Sequence, residues 1–343
     1  MKKIFALLLT LVMVFTATAA MGEGIKLGIV TPDADHGFTG ESVAHARAEA
    51  EAMKAAGVIS DYMMAVGGEA SKQIQGLEDI MNWDPDAVVL WPLEGDQLRN
   101  AAQSVVETGI PLIVYDRLIE NFKGMAGEIM GDNEGIGNMM GKYLLNYFAE
   151  DLKAGKTITY LLFIGDSSTV SKQRTQGMLD IINASEFKDQ FVLLQDGFQT
   201  DWSNAKSQEF IENWLTTADP AVVAELDLIV THDDEIVDGI MTSIKDNADL
   251  KDLRIITSVG GRRETLATFD EVEKPELLTY FFSPSYIREA LRLAVAAANG
   301  ETYQDQKIEG QLFLVPTIEI DKNTVEAFRN SQEFADRYSL DAK

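Results

Sequence analysis

Ile110-Pro111-Leu112-Ile113-Val114-Tyr115-Asp116-Arg117 runs from β-favouring apolar residues straight into an acid and a base. A short unbroken apolar run, introduced by Gly109 and Pro111, reads as a strand buried on both faces. Asp116 and Arg117 then stand where the strand leaves its sheet. In open parallel sheets, ligands lie at the carboxyl ends of the strands. A carboxylate and a guanidinium there supply acceptors and forked donors suited to a polyhydroxylated small molecule. They equally suit a local ion pair that closes a loop, and the dipeptide alone leaves both readings open.

The same strand pattern recurs on either side. Toward the N-terminus, strands are expected at 25–30, 62–66 and 86–91, and helices at 41–56, 69–81 and 96–107. Beyond the opening stretch, strands are expected at 125–130, 157–164, 191–194, 227–230, 254–257, 277–281 and 312–315. Helices are expected at 133–150, 171–182, 202–216, 235–245, 264–269 and 286–299. This alternation has βαβ spacing, which implies parallel sheets with right-handed crossovers. It begins again near residue 157, so the chain reads as α/β with two Rossmann-like lobes in series. Residues 123–132 are few and strand-like, which suits ordered crossing segments better than a flexible tether.

Length agrees with two lobes: of 343 residues, roughly 320 remain after a leader. Lys2 and Lys3, an apolar run over 4–15 and small residues up to Ala20 make 1–20 a cleaved secretory signal. No later run reaches about 18 apolar residues, so the mature chain is expected to be soluble and exported. There is no cysteine for a disulfide or a lipid anchor. An unanchored exported protein is retained only behind a second membrane, which makes the periplasm the expected location. The net charge is −26, and −28 once Lys2 and Lys3 leave with the leader. Such a surface disfavours nucleic acid and anionic lipid. An apolar content of 46% excludes disorder.

Catalytic fingerprints are missing from the sequence. It has no Gly-x-Ser-x-Gly elbow, no Walker loop, and no Gly-x-Gly-x-x-Gly after the first strand. The glycines of Gly131-Asp132-Asn133-Glu134-Gly135-Ile136-Gly137 fit a turn and a tightly packed helix start better than a phosphate site. Of the three histidines, His36 and His232 fall at strand exits beside aspartates, and His45 falls mid-helix. Their separation has no metal-ligand spacing, so no metal or cofactor is expected.

What stands out is the chemistry shared by six strand exits. Asp35, His36 and Phe38 follow the first strand, Trp91 ends the third, and Asp116 and Arg117 end the fourth. In the second half, Ser167, Ser168 and Arg174 follow one strand, Trp202 another, and His232, Asp233 and Asp234 a third. Charged planar groups with aromatic faces match a sugar, whose hydroxyls take bidentate hydrogen bonds and whose C–H faces pack on rings. Each residue also has a plainer explanation. Trp91 and Trp202 suit a core, Arg174 a surface helix, and Asp233-Asp234-Glu235 a helix cap.

In this order and spacing the chain resembles the periplasmic sugar-binding proteins of the ribose and galactose type, the substrate-binding subunits of ABC transporters. The opening stretch is similar to the family's Ile-Pro-Val-Ile-x-x-Asp-Arg motif. Gly131–Gly137 is similar to its inter-lobe crossing segment. Val230-Thr231-His232-Asp233-Asp234-Glu235 resembles its x-x-x-Asn-Asp-Glu/Asp run, and Val315-Pro316-Thr317-Ile318-Glu319-Ile320-Asp321-Lys322-Asn323 resembles the galactose-type ending. The resemblance implies a type I Venus-flytrap: two lobes joined by three crossings, with a pentose or hexose between them. It implies a first lobe of 24–131 plus 282–310 and a second of 132–281 plus 311–343. It implies His36, Phe38, Asp116, Arg117, Arg174, Trp202 and Asp233 as ligand contacts, with Phe38 and Trp202 as stacking rings; Trp91, from its strand exit, and Phe282, from its place at a crossing, join the expected contacts. The implied partners are an inner-membrane ABC permease and a chemoreceptor, and the implied state is a monomer that is not an enzyme.

The chain also departs from that pattern. Ser258-Val259-Gly260-Gly261-Arg262-Arg263 carries glycine where the family usually has an aspartate. Phe282 stands at a crossing position that is often polar, and Asp233 replaces an amide. The calcium loop of the galactose type has no counterpart in 150–155. The alternatives are a nucleoside or signalling furanone, an anionic ligand held by Arg262 and Arg263, and, more distantly, a glycosidase with paired carboxylates. The leader, and the lack of a DNA-binding headpiece, disfavour a repressor of the same fold.

Overall fold

The computed structural model describes residues 24–33, 37–245, 247–250, 252–331 and 334; the leader 1–20 and His36 lie outside them. The chain opens with β1 (Ile25–Thr31), α1 (Gly37–Ala55), β2 (Ile59–Val66), α2 (Ala70–Asn82), β3 (Ala87–Leu90), α3 (Gly95–Glu107), β4 (Leu112–Tyr115) and β5 (Gly127–Gly131). It continues through α4 (Asn133–Tyr147), α5 (Ala149–Lys153), β6 (Ile158–Ile164), α6 (Thr169–Asn183), β7 (Phe191–Leu193), β8 (Phe198–Gln199), α7 (Asn204–Thr217) and α8 (Pro220–Ala224). Next come β9 (Leu228–Thr231), α9 (Asp234–Ile244), β10 (Ile255–Gly260), α10 (Arg263–Glu271), β11 (Glu276–Phe281), α11 (Ile287–Ala298), β12 (Gln311–Val315), β13 (Glu319–Ile320) and α12 (Val325–Arg329).

Two sheets result. The first has the order β12-β5-β4-β3-β1-β2, with every pairing parallel. Every residue of β3 and β4 is buried, because helices cover both faces. Val89 and Ile113 pack in the cluster shared with α1 and α11, and Val88, Leu90, Leu112 and Val114 in the one shared with α2 and α3. The second sheet runs β13-β11-β10-β9-β6-β7, with β8 also paired to β6. Its strands are parallel except β13, which lies antiparallel to β11. The chain leaves β12 at the end where the lobes face each other and enters the second sheet from that same side. A strand arriving there must run opposite to β11.

The main chain crosses between the sheets three times. The crossings lie at β5 to α4, at Phe282 and Ser283 after β11, and at 316–318 after β12. The expected division placed 311–343 in the second lobe, and this is corrected: β12 pairs with β5 and so belongs to the first sheet. Phe313 explains the seat, since it is buried and packs edge-on to Tyr303. A single apolar cluster runs from the first lobe through Phe282 and Tyr286 into the second. The lobes are thus joined by packed crossings, not by a tether.

Two helices differ from expectation in ways that matter for the site. The helix expected over 133–150 breaks at Phe148, whose ring is fully buried, into α4 and α5. The helix expected from 202 starts at Asn204, because Asp201 and Trp202 have φ of 50° and 61°. Left-handed backbone cannot open a right-handed helix. Ser203 caps α7 instead, its hydroxyl accepting from the Lys206 N–H at 3.3 Å.

Candidate functional site

The β4 exit is built on a left-handed residue. Asp116 has φ of 64°, and its N–H donates to the Ile129 carbonyl at 2.9 Å. Non-glycine residues in this conformation cost free energy, and Asp tolerates it better than most. The turn drops the carboxyl into the protein, where it is only 5% exposed. Burial raises its pKa to about 6, against the opposing pull of Arg117 and Arg174. Trp91, at the end of β3, is buried beside it. Among the described residues, neither Trp91 Nε1 nor Asp116 Oδ1 makes a well-formed hydrogen bond, although the Trp91 indole N–H lies near enough to the carboxyl to oppose the rise in its pKa.

Arg117 does not close a loop with Asp116. One of its terminal nitrogens donates to the Leu93 carbonyl, and the other pairs at 3.1 Å with Asp166, which follows β6 in the second lobe. Its Nε is buried without a partner among the described residues.

The second lobe contributes Arg174 from α6. Its Nε donates to Asn133 Oδ1 at 2.8 Å and Nη1 to the His232 carbonyl at 2.6 Å. The guanidinium lies 4.7 Å from the Phe282 ring centre and 5.8 Å from that of Trp202. Burial lowers its pKa to about 10, opposed by Asp233 and Asp116, so it stays charged at neutral pH. α4 and α6 approach closely enough to seat Arg174 because Gly137 faces its carbonyl; a Cβ there would come within 2.4 Å. Trp202, held by its left-handed turn, lays its indole against Gly165, and its Nε1 is buried and unpaired among the described residues.

Asp233 caps α9, its Oδ1 accepting from the Glu235 N–H at 2.8 Å. Its pKa is pushed well up, first by burial and then by Glu235 and Asp234. Asp234 beside it turns inward. It accepts from the Ser258 hydroxyl, the Thr279 hydroxyl (2.9 Å) and the N–H groups of Gly261 (2.6 Å) and Arg262 (2.7 Å). This explains the glycine of the departed motif. Gly260 has φ of 152°, and a Cβ there would meet Asp234 Oδ2 at 2.6 Å. Phe282 fits its crossing for a similar reason: its ring lies where a side chain on residue 131 would stand, and that residue is glycine.

These side chains surround one cavity between the lobes, with about 50 Å³ open to the centres of water-sized molecules. Eight of the nine nominated contacts line it: Phe38, Trp91, Asp116, Arg117, Arg174, Trp202, Asp233 and Phe282. His36 lies outside the described residues. Phe38 bridges the aromatic wall, 6.0 Å from Trp91 and 5.3 Å from Phe282 between ring centres. His232 is not at the cavity; its ring is buried against the Thr175 hydroxyl at 3.2 Å, and burial lowers its pKa to about 3. Thr39, Val170, Glu235, Val259 and Gly260 complete the lining and were not nominated. Glu235 was visible only as a capping acid and Val259 only as a strand residue. Nothing in the sequence marked Thr39 or Val170.

Arg262 and Arg263 do not face the cavity. Arg262 pairs with Asp238 at 3.0 Å, and Arg263 lies over Phe334 at 4.6 Å. Among the described residues no cluster of three or more His, Asp or Glu side chains is placed to hold a metal ion, and no helix is long and apolar enough to cross a membrane.

The family described as periplasmic binding protein domain matches residues 27–302. The chain belongs to that family. Its members bind solutes; they are not an enzyme family. The D-xylose-binding periplasmic protein of Haemophilus influenzae is 24% identical over 189 residues, 53% of this chain and 52% of that protein. This match therefore spans about half the length of the relative. The D-xylose-binding periplasmic protein of Escherichia coli is 21% identical over 336 residues, 94% of this chain and 95% of that protein. The fold of this binding protein is that of an ABC transporter solute-binding protein from Bacillus halodurans solved with myo-inositol. The TM-score is 0.73 at 17% identity, covering 90% of this chain and 98% of the other.

Proposed function

We propose that this binding protein captures a neutral monosaccharide, a pentose or hexose, between its lobes and presents it to an ABC permease in the inner membrane. One observation carries the proposal: aromatic faces and unpaired buried polar atoms from both lobes converge on one cavity. Arg117 Nε and Trp202 Nε1 are unpaired donors among the described residues, and the Trp91 indole N–H and the Asp116 carboxyl face each other without a well-formed hydrogen bond. A buried polar atom left unpaired costs about 1–3 kcal/mol, and a sugar hydroxyl relieves that cost. Hydrogen bonds to charged groups contribute roughly 1.5–3 kcal/mol each, so a few of them reach the ~8 kcal/mol of micromolar affinity after ordering costs.

Neutrality follows from the charge balance. Asp116, Asp233 and Glu235 line the cavity, and both of its arginines already have protein partners. An anionic sugar would meet the acids of the cavity, with Arg117 already paired to Asp166 and its Nε the unpaired donor left to set against them. Xylose, named for two relatives, and myo-inositol, bound in the solved neighbour, are compact and neutral. Residues 1–20 act as a cleaved leader to the periplasm, the chain works as a monomer, and a permease or chemoreceptor reads the closed form. Residues Asp116, Arg117, Arg174, Trp202 and Asp233, with the rings of Phe38, Trp91 and Phe282, make the contacts. Sugar shifts the population toward closure because only the closed form offers both lobes.

Calorimetric titration with D-xylose, D-ribose, L-arabinose, D-galactose, myo-inositol, D-galacturonate and adenosine tests this. The expected result is micromolar or tighter binding of at least one neutral sugar or polyol. Tightest binding of galacturonate or adenosine, or no heat with any neutral compound, overturns it.

A further inference from the structure

We infer that Asp166 is a positioning residue for sugar capture: across the cleft it holds Arg117, which clasps the two lobes and offers the cavity a single nitrogen. The inference rests on the proposed sugar site but assigns a role that the site's chemistry alone does not.

The guanidinium of Arg117 is divided three ways. One terminal nitrogen donates to the Leu93 carbonyl of its own lobe, and the other meets Asp166 at 3.1 Å in the opposite lobe. Nε has no partner among the described residues. The Arg117 and Asp166 side chains are 8% and 14% exposed, so solvent screens the pair far less than a surface pair. The forked, planar guanidinium is the group that can serve a carbonyl, a carboxylate and a ligand at once.

Neighbouring contacts follow the same seam. The Leu118 N–H donates to the Thr169 hydroxyl at 3.2 Å, and Lys172 approaches Glu120 at 3.8 Å. Each joins the segment after β4 to the start of α6. The lysine pair is 65% and 54% exposed and contributes little. Arg117–Asp166 is the buried member of the seam, and it is the one that borders the cavity. Opening the lobes must separate these charges. Asp166 therefore adds to the closed state without touching sugar, and its loss acts mainly on dissociation.

The test is a double-mutant cycle read by stopped-flow and calorimetry. The probe is whichever of D-xylose, D-ribose and myo-inositol binds the unmodified chain tightest. Asp166→Asn, close to isosteric, is expected to raise Kd at least tenfold, chiefly through a faster off-rate. Asp166→Glu is expected to recover part of the loss. On an Arg117→Gln background, Asp166→Asn is expected to cost less than a further threefold. Lys54→Gln, whose ion pair with Asp61 is exposed, is the control with unchanged Kd. An unchanged Kd in Asp166→Asn, or equal effects on both backgrounds, overturns the inference while leaving the sugar site intact. Sugar-free unfolding curves that match between variants assign the loss to closure; a loss of affinity that only tracks a loss of fold overturns it as well. Failure of every probe to bind the unmodified chain counts against the sugar site itself, and with it against the inference.

Discussion

Asp116 and Asp234 are both buried aspartates just past a central strand, one in each lobe, and they are finished in opposite ways. Asp234 has four donors, two from hydroxyls and two from backbone N–H groups, and it holds the turn after β10. Asp116 leaves one oxygen unpaired among the described residues, in a backbone conformation that is itself strained. A carboxylate whose valences are filled by protein is structural. On the proposed reading, one that is buried and left incomplete takes its partner from outside. The difference separates scaffold from site within the same constellation of strand exits.

The largest effect is expected from breaking the scaffold member. Asp234→Ala strands four donors in the core of the second lobe, and a loss of about 3 kcal/mol or more is expected in urea denaturation. An unchanged midpoint would mean the turn after β10 holds without it. Arg174→Ala comes next. It removes the donors to Asn133 and His232 and a charged wall of the cavity. Calorimetry is expected to show at least tenfold weaker sugar binding, together with about 1.5–3 kcal/mol less stability.

A smaller effect is expected from pH. Burial places the Asp116 carboxyl near 6. Between its ordinary pKa of about 4 and that value, the sugar-free fold keeps a proton that the unfolded chain releases, so its stability falls as pH rises through this window. Sugar donors favour the ionised form, so Kd is expected to rise severalfold as pH drops from 7.5 to 5. A flat profile would place Asp116 away from the sugar.

Much of this contrast could be read from residue order, and part of it could not. β3, β4 and β9 were legible because each is a short run, apolar but for Thr231, that is buried on both faces. The cavity lining was legible because a parallel sheet delivers all its strand exits to one edge. What failed was whatever depends on distant partners. A local ion pair of Arg117 with its neighbour Asp116 was one of two open readings, whereas its ion-pair partner, Asp166, lies in the other lobe. Residues 312–315 read correctly as a strand, but periodicity does not say which sheet a strand joins, and β12 went to the wrong lobe. The break at Phe148 and the left-handed turn at Trp202 were hidden because neither carries glycine or proline. Asp233 and Asp234 looked alike as capping acids; only the fold shows one at the cavity and the other turned into the core.

The central claim is that Asp116 is left incomplete for a sugar, and Asp116→Asn tests it most directly. Calorimetric titration of this variant beside the unmodified chain, at pH 7.5 with the tightest-binding neutral sugar, gives the affinity, and urea denaturation of the same samples gives the stability. The account predicts at least tenfold weaker binding in a protein about 1–3 kcal/mol more stable without sugar, because a buried charge has been removed. Unchanged affinity, or weaker binding accompanied by an equal loss of stability, would contradict it.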